Sequence, residues 1–271
     1  MKKTILITGT SSGIGKDTAK YFSEKGWNVA ATMRTPEKDN EVRNLKNTKV
    51  YRLDVIDNES IQQAIIDAKK DFGKIDVVVN NAGFAVDGVF EAMDDKTIEN
   101  QFNTNVFGVL RVTREFIKYM REEKGGTIIQ VSSMGGRITF PLYSIYHSTK
   151  WAIEGFTESL HYEVKSFNIK VKLIEPGAIK TDFYTTGRKM IKPDYTNAYD
   201  NFVEKCEKVS MEAGMNGENP LVVAQEIFKA ANDSSWKLRY PVGKPAPMLL
   251  KLRKILSDNI WFKIISGSYK L

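Results

Sequence analysis

Six short runs rich in Ile and Val, with little alternation of polar and apolar positions, recur through the first two thirds of the chain, at residues 4–8, 28–33, 49–53, 75–79, 126–131 and 170–174. Runs of that kind are expected of strands covered on both faces. Segments of helical length separate them, at 14–25, 36–45, 59–72, 96–123 and 144–166. This alternation, closed by right-handed crossovers, predicts an α/β fold in three layers, a doubly wound parallel sheet between helices. The rhythm changes after Pro176-Gly177, where 181–217 reads as loop plus helix. A helix at 219–231, a short strand at 236–240 and one or two helices over 248–263 close the chain. No repeat, low-complexity tract or linker divides it, so 1–271 reads as one domain.

Composition acts mainly by exclusion. With 271 residues, 42% of them hydrophobic, the chain can bury one sizeable core. One cysteine, Cys206, and two histidines leave no internal disulfide and almost no zinc ligands, so no metal site is expected. No apolar run approaches the roughly 18 residues of a membrane span. The N-terminal run stops at Gly9, short of a signal-peptide core, and a cytoplasmic location is expected. The net charge of +7 is uneven: 236–271 holds eight Lys/Arg against Asp258 alone, and the rest is balanced. A balanced body has no footprint for nucleic acid.

The first strand runs into Gly9-Thr10-Ser11-Ser12-Gly13-Ile14-Gly15 and then a helix. Glycines there let the backbone turn sharply and approach a ligand, and N–H groups at the helix start favour a pyrophosphate. The same residues spell G-x-S-x-G around Ser11, the nucleophile elbow of a hydrolase. A hydrolase needs earlier strands and a late catalytic histidine, whereas this loop follows the first strand and His147 and His161 share one mid-chain helix. A dinucleotide site of the NAD type wants an acid at the end of the second strand. Residues 29–36 offer Arg34 instead, and a guanidinium binds a 2′-phosphate that a carboxylate repels, so NADP(H) is expected over NAD(H).

Tyr146 and Lys150 stand four apart on the helix after the fifth strand and therefore share a face. An ammonium beside a phenol lowers the phenol's pKa and makes it a usable acid or base. Ser133, just past the strand at 126–131, sits at the carboxyl edge of the sheet, where open α/β folds bind ligands.

Taken in order, these residues resemble the short-chain dehydrogenase/reductase family, in its shorter branch with one Rossmann domain, over residues 4–181. Thr8-Gly9-Thr10-Ser11-Ser12-Gly13-Ile14-Gly15 is similar to the family's cofactor loop, and Leu53-Asp54-Val55 to the segment whose acid meets the adenine. Asn80-Asn81-Ala82-Gly83 matches its sheet-supporting motif, and Asn105 falls on its catalytic asparagine. Ser133, thirteen residues before Tyr146, has the family spacing that Ser132 lacks. Pro176-Gly177-Ala178-Ile179-Lys180-Thr181 resembles the segment in which Ile179 and Thr181 hold the nicotinamide amide. Ala30, Thr32, Met33, Arg34 and Thr35 are similar to its steroid- and retinol-active members.

The resemblance implies hydride transfer between NADP(H) and a carbonyl or secondary alcohol. Tyr146 would be the general acid/base and Ser133 would stabilise charge on the substrate oxygen. Lys150 would lower the Tyr146 pKa and hold the nicotinamide ribose, and Asn105 would fix the neighbouring helix and a water. The competing class is a binding protein that senses NADP(H) without turnover. Substrate choice is expected in 84–86, 134–143 and a helical lid at 181–217, through Phe84, Val86, Met134, Phe140, Leu142, Phe183, Tyr184, Tyr199, Phe202 and Met211, which imply an apolar substrate. Phe102, Leu110, Phe116, Phe156 and Leu160 resemble the helix pair through which members dimerise, so a homodimer or homotetramer is expected. Met248, Leu249, Leu252, Ile255 and Leu256 share a helical face, expected to pack on the body near the substrate side; contact with an anionic membrane is the alternative.

Overall fold

In a computed structural model, which describes residues 2–181 and 189–271, strand β1 (Thr4–Thr8) leads through the glycine loop into α1 (Gly13–Glu24) and β2 (Asn28–Met33). There follow β3 (Thr48–Arg52), α2 (Asn58–Phe72), β4 (Val77–Asn80), β5 (Val86–Gly88), α3 (Asp95–Phe102), α4 (Val109–Glu122), β6 (Gly126–Val131), α5 (Ser144–Val164) and β7 (Ile169–Pro176). The remainder is β8 (Lys189–Ile191), α6 (Asp200–Met215), α7 (Pro220–Asn232), β9 (Arg239–Val242), α8 (Ala246–Ile255) and α9 (Asp258–Ser268). The main sheet is parallel throughout, in the order β3-β2-β1-β4-β6-β7-β9.

Successive residues of β1 face opposite layers, which is why its run shows no polar alternation. Ile5 and Ile7 meet Ala19 and Phe22 of α1 and Val223 and Ile227 of α7, whereas Leu6 meets Ile61 of α2 and Phe116 of α4. Both sides are closed and the expected Rossmann-type sheet results. The strand order turns outward in both directions from β1 and β4, so a crevice opens at their carboxyl ends.

Four expectations about elements need correction. The helix expected at 36–45 is two 3₁₀ turns, because the Asp39 carboxylate accepts from the N–H groups of Glu41, Val42 and Arg43 and competes with helical bonding. The helix expected at 96–123 is broken by a π turn at Asn103–Gly108 between α3 and α4. A small parallel pair, β5 with β8, had no local pattern to announce it. The last strand is β9, later than 236–240; it carries Pro241 and is the sheet's edge, where a missing N–H is tolerated.

Phe116 and Leu160 are buried against the sheet, which corrects their assignment to an interface, and Phe156 is half-buried against the same core. Outward apolar side chains on α5 and the turn before α4 include Phe107, Trp151 and Tyr162. Among the described residues no helix is long and apolar enough to cross a membrane, and no cluster of His, Cys, Asp or Glu could hold a metal ion.

Candidate active site

The glycine loop is held by the end of β4. Asn81 Nδ2 donates to the carbonyls of Thr8 and Gly9, each at 3.0 Å, and the N–H groups of Asn81 and Ala82 donate to Thr8 Oγ1 at 3.0 and 3.1 Å. A Cβ on Gly15 would lie 2.2 Å from the Gly9 carbonyl oxygen, and one on Gly9, whose φ is +73°, 2.9 Å from Ala82 Cα. Only glycine lets these strands of backbone touch. The Ser12 side chain makes no cap hydrogen bond to α1. The helix start thus faces a cleft with no side-chain cap from Ser12.

That cleft, of about 570 Å³, is lined by Gly9, Ser11, Ser12, Gly13 and Ile14, then by Arg34, Asp54 and Val55 on one side. Asn81, Ala82, Gly83, Ser133, Tyr146 and Lys150 form its middle. Pro176, Gly177, Ile179 and Thr181 form its far wall, which is pinned where Lys180 N donates to the Glu218 carbonyl at 2.9 Å. Arg34 is exposed, and among the described residues its side chain has no ion pair or hydrogen bond, so its guanidinium stands available at the strand end. The cleft therefore gathers every site residue expected from the sequence except Gly15, which sits behind the loop, and Asn105.

Asn105 is only 2% exposed. Its Oδ1 accepts from Phe84 N at 3.1 Å, and its Nδ2 donates to the Phe84 carbonyl at 2.8 Å and to Thr149 Oγ1 at 3.2 Å. Thr149 Oγ1 in turn donates to the Tyr146 carbonyl at 2.7 Å. The π turn thus directs Asn105 sideways, tying the loop after β4 to α5 beneath Tyr146.

At the centre, Ser133 and Tyr146 stand together on the cleft wall, close enough for the Ser133 hydroxyl to pull on the Tyr146 phenol. Lys150 Nζ donates to the Val131 carbonyl at 2.9 Å and lies 5.7 Å from the centre of the Tyr146 ring. The electrostatics differ from the sequence expectation. Burial pushes the Tyr146 phenol up to about 12, against a smaller downward pull from Ser133. Burial likewise pushes Lys150 down to about 8, with the Glu154 carboxylate opposing. Loss of solvent sets the direction for both groups, and Lys150 turns its ammonium to a carbonyl rather than to the phenol oxygen.

Beyond Tyr146 the cleft is walled by Phe84, Met134, Phe140, Tyr143 and His147. Of the side chains expected to set substrate choice, Phe84, Met134 and Phe140 do line it. Val86 packs with Met93 and Ile145, whereas Leu142, Tyr199 and Phe202 join a core with Cys206 and Tyr269, and among the described residues Met211 lines neither cleft nor core cluster. Phe183 and Tyr184 lie outside the described residues. His147, which the sequence does not assign to the site, stands there too: its ring packs against Tyr143, Tyr146 and Phe140, and Phe140 N donates to Nδ1 at 3.4 Å. Burial pushes its pKa down to about 4, keeping it neutral. Its place beside Tyr146 and one turn after Tyr143 was the available signal.

Behind the centre lies a buried charge cluster. Arg239 Nε is 3.1 Å from Glu154 Oε2 and 3.5 Å from Glu175 Oε1, and Arg137 Nη1 is 3.3 Å from Glu175 Oε1. Burial, reinforced by Glu175, pushes Glu154 up to about 7.

The family model described as short chain dehydrogenase matches residues 3–192. An uncharacterized oxidoreductase of Schizosaccharomyces pombe is 38% identical over 226 residues, 83% of this chain and 94% of that protein. A 3-ketodihydrosphingosine reductase of Bacteroides thetaiotaomicron is 34% identical over 262 residues, 94% of each chain. Among solved structures, a short-chain dehydrogenase from Streptomyces avermitilis superposes with a TM-score of 0.82 at 31% identity, covering 99% of both chains. ElxO with NADP bound superposes at 0.72 with 29% identity, covering 89% of this chain and 98% of that one. With the glycine loop, the seven-stranded parallel sheet and the cleft at its carboxyl edge, these matches establish the chain as an oxidoreductase that belongs to the short-chain dehydrogenases.

Proposed function

We propose that the protein is an NADP(H)-dependent carbonyl reductase, or in reverse a secondary-alcohol dehydrogenase, for an apolar substrate, with Tyr146 as general acid/base. The observation that carries this reading is the convergence of the Ser133 and Tyr146 side chains on the wall of a cleft that begins at the uncapped start of α1. The residues fit a dinucleotide: N–H groups at the α1 start suit a pyrophosphate, Asp54 and Val55 line the adenosine end, and Arg34 suits a 2′-phosphate. When bound, the nicotinamide supplies or accepts the hydride.

The chain's own residues handle the proton. A phenol held well above neutrality keeps its proton until an oxygen of rising basicity faces it, which suits Tyr146 to donate during reduction. Ser133 shares the Tyr146 oxygen's surroundings and stabilises charge on the same substrate atom. Lys150 holds the nicotinamide ribose, and Asn105 is a positioning residue that sets the height of α5 through Thr149. The Arg34 guanidinium and the NADP bound by ElxO support NADP(H) over NAD(H). The walls of Phe84, Met134 and Phe140 support an apolar substrate, and the Bacteroides relative is by its name a reductase of a ketone. We also propose a homodimer or homotetramer, formed on the side where Phe107 and Trp151 are exposed.

A panel of carbonyls and alcohols, from small keto esters to steroids, followed by NADPH absorbance, tests the reading. Turnover of bulky apolar ketones is expected. Binding of NADPH without its oxidation across the panel would instead indicate a sensor.

A further inference from the structure

We propose that the outward face of α8 and α9 is a docking surface for an anionic lipid bilayer, set beside the apolar end of the cleft. The inward face is accounted for: Leu250 and Trp261 are buried with Ile138, and Met134, Phe140, Leu249, Leu252, Leu256 and Ile265 pack around them. Met248 and Ile255, expected from the sequence on that packed face, instead point outward. Six of the seventeen exposed large hydrophobic side chains of the described residues fall in the last 24 positions: Met248, Ile255, Ile260, Phe262, Ile264 and Leu271. Ile255 is 78% exposed.

Charge chooses the occupant. Lys251 follows Met248 by three and precedes Ile255 by four, and Lys263 follows Ile260 by three, so each lysine shares a face with an exposed apolar residue. Both are exposed and have no ion pair among the described residues. The only acid of this region, Asp258, is already taken up by Arg253, which also lies over the Trp261 ring. A second copy seated on the same face would set lysine against lysine, because a two-fold contact brings identical patches together. Negative headgroups over an apolar layer satisfy both kinds of side chain. Met134 and Phe140 belong at once to the core under these helices and to the cleft wall, so the surface adjoins the proposed substrate end.

Binding to lipid goes beyond the reductase reading; only the idea that the surface delivers substrate rests on it. Flotation of the full chain at low salt with phosphatidylcholine vesicles, with and without about a third phosphatidylserine, tests the surface. Binding to the anionic vesicles alone is expected, and its loss as salt rises. Charge reversal in K251E/K263E should weaken it at least twentyfold, at roughly fivefold per lysine. Ile255→Asp should weaken it about tenfold, which separates insertion from attraction at a distance. Melting temperature and turnover of a water-soluble ketone by both variants should stay unchanged, since these side chains are exposed. Equal binding to neutral vesicles, full retention by either variant, or a dimer that Ile255→Asp splits into monomers would overturn the proposal. Flotation needs no turnover, so a failed reductase assay leaves it standing; absent flotation with normal turnover removes the surface alone.

Discussion

The two ends of the cleft are built of different material. At the dinucleotide end the wall is backbone, with Gly9 packed so closely on Gly15 behind it that Asn81 reaches two carbonyls with one amide. At the other end the wall is side chain, from Phe84, Met134, Phe140, Tyr143 and His147. A backbone wall resists change and recognises what all dinucleotides share. A side-chain wall can be recut one residue at a time, so substrate choice can drift while the cofactor end stands still.

Substitutions should separate the two ends, with the centre most sensitive of all. Tyr146→Phe is expected to lower kcat about 10³-fold while leaving NADPH affinity within a factor of about two, measured by steady-state kinetics and fluorescence titration. Gly15→Ala drives a Cβ into the Gly9 carbonyl and should weaken NADPH binding by about a hundredfold, with a lower Tm. Retained affinity would show that the loop can yield. Arg34→Ala should cost about 2 kcal/mol of NADPH binding and leave NADH unaffected. Equal losses for both cofactors would remove the 2′-phosphate role. Phe140→Ala should raise KM for a bulky ketone about tenfold with cofactor affinity unchanged.

The smallest effect concerns the cluster behind the centre. Glu154 holds its proton to about 7 when folded but only to the ordinary 4.5 when unfolded. Folding therefore takes up a proton between those values, so this group makes stability fall as pH rises through that window. Glu154→Gln should flatten that slope in a plot of Tm against pH, and an unchanged slope would place the titration elsewhere.

Where the chain's own backbone must come close or turn through positive φ, the requirement shows in residue type: Gly9, Gly13, Gly15 and Asn81 were legible before any fold was known, as was the one-turn spacing of Tyr146 and Lys150. Burial was not legible. The spacing of Tyr146 and Lys150 said that ammonium and phenol are neighbours, but desolvation set the direction of both pKa values, and that depends on other elements, such as β6 with Val131, closing over them. Likewise β5 and β8 are three residues each and exist through pairing across a hundred positions. Apolar residues expected to set substrate choice, such as Leu142 and Phe202, look the same in sequence whether they meet a ligand or one another.

Gly108 ends the π turn that carries Asn105, and a Cβ there would lie 2.6 Å from Val55 Cγ2. Val55 lines the adenosine end of the cleft, while Asn105 braces the helix that bears Tyr146. One methyl group at position 108 would thus act as a wedge between two distant jobs. Cofactor affinity and catalytic rate should fall together in Gly108→Ala, although the altered atom touches neither ligand.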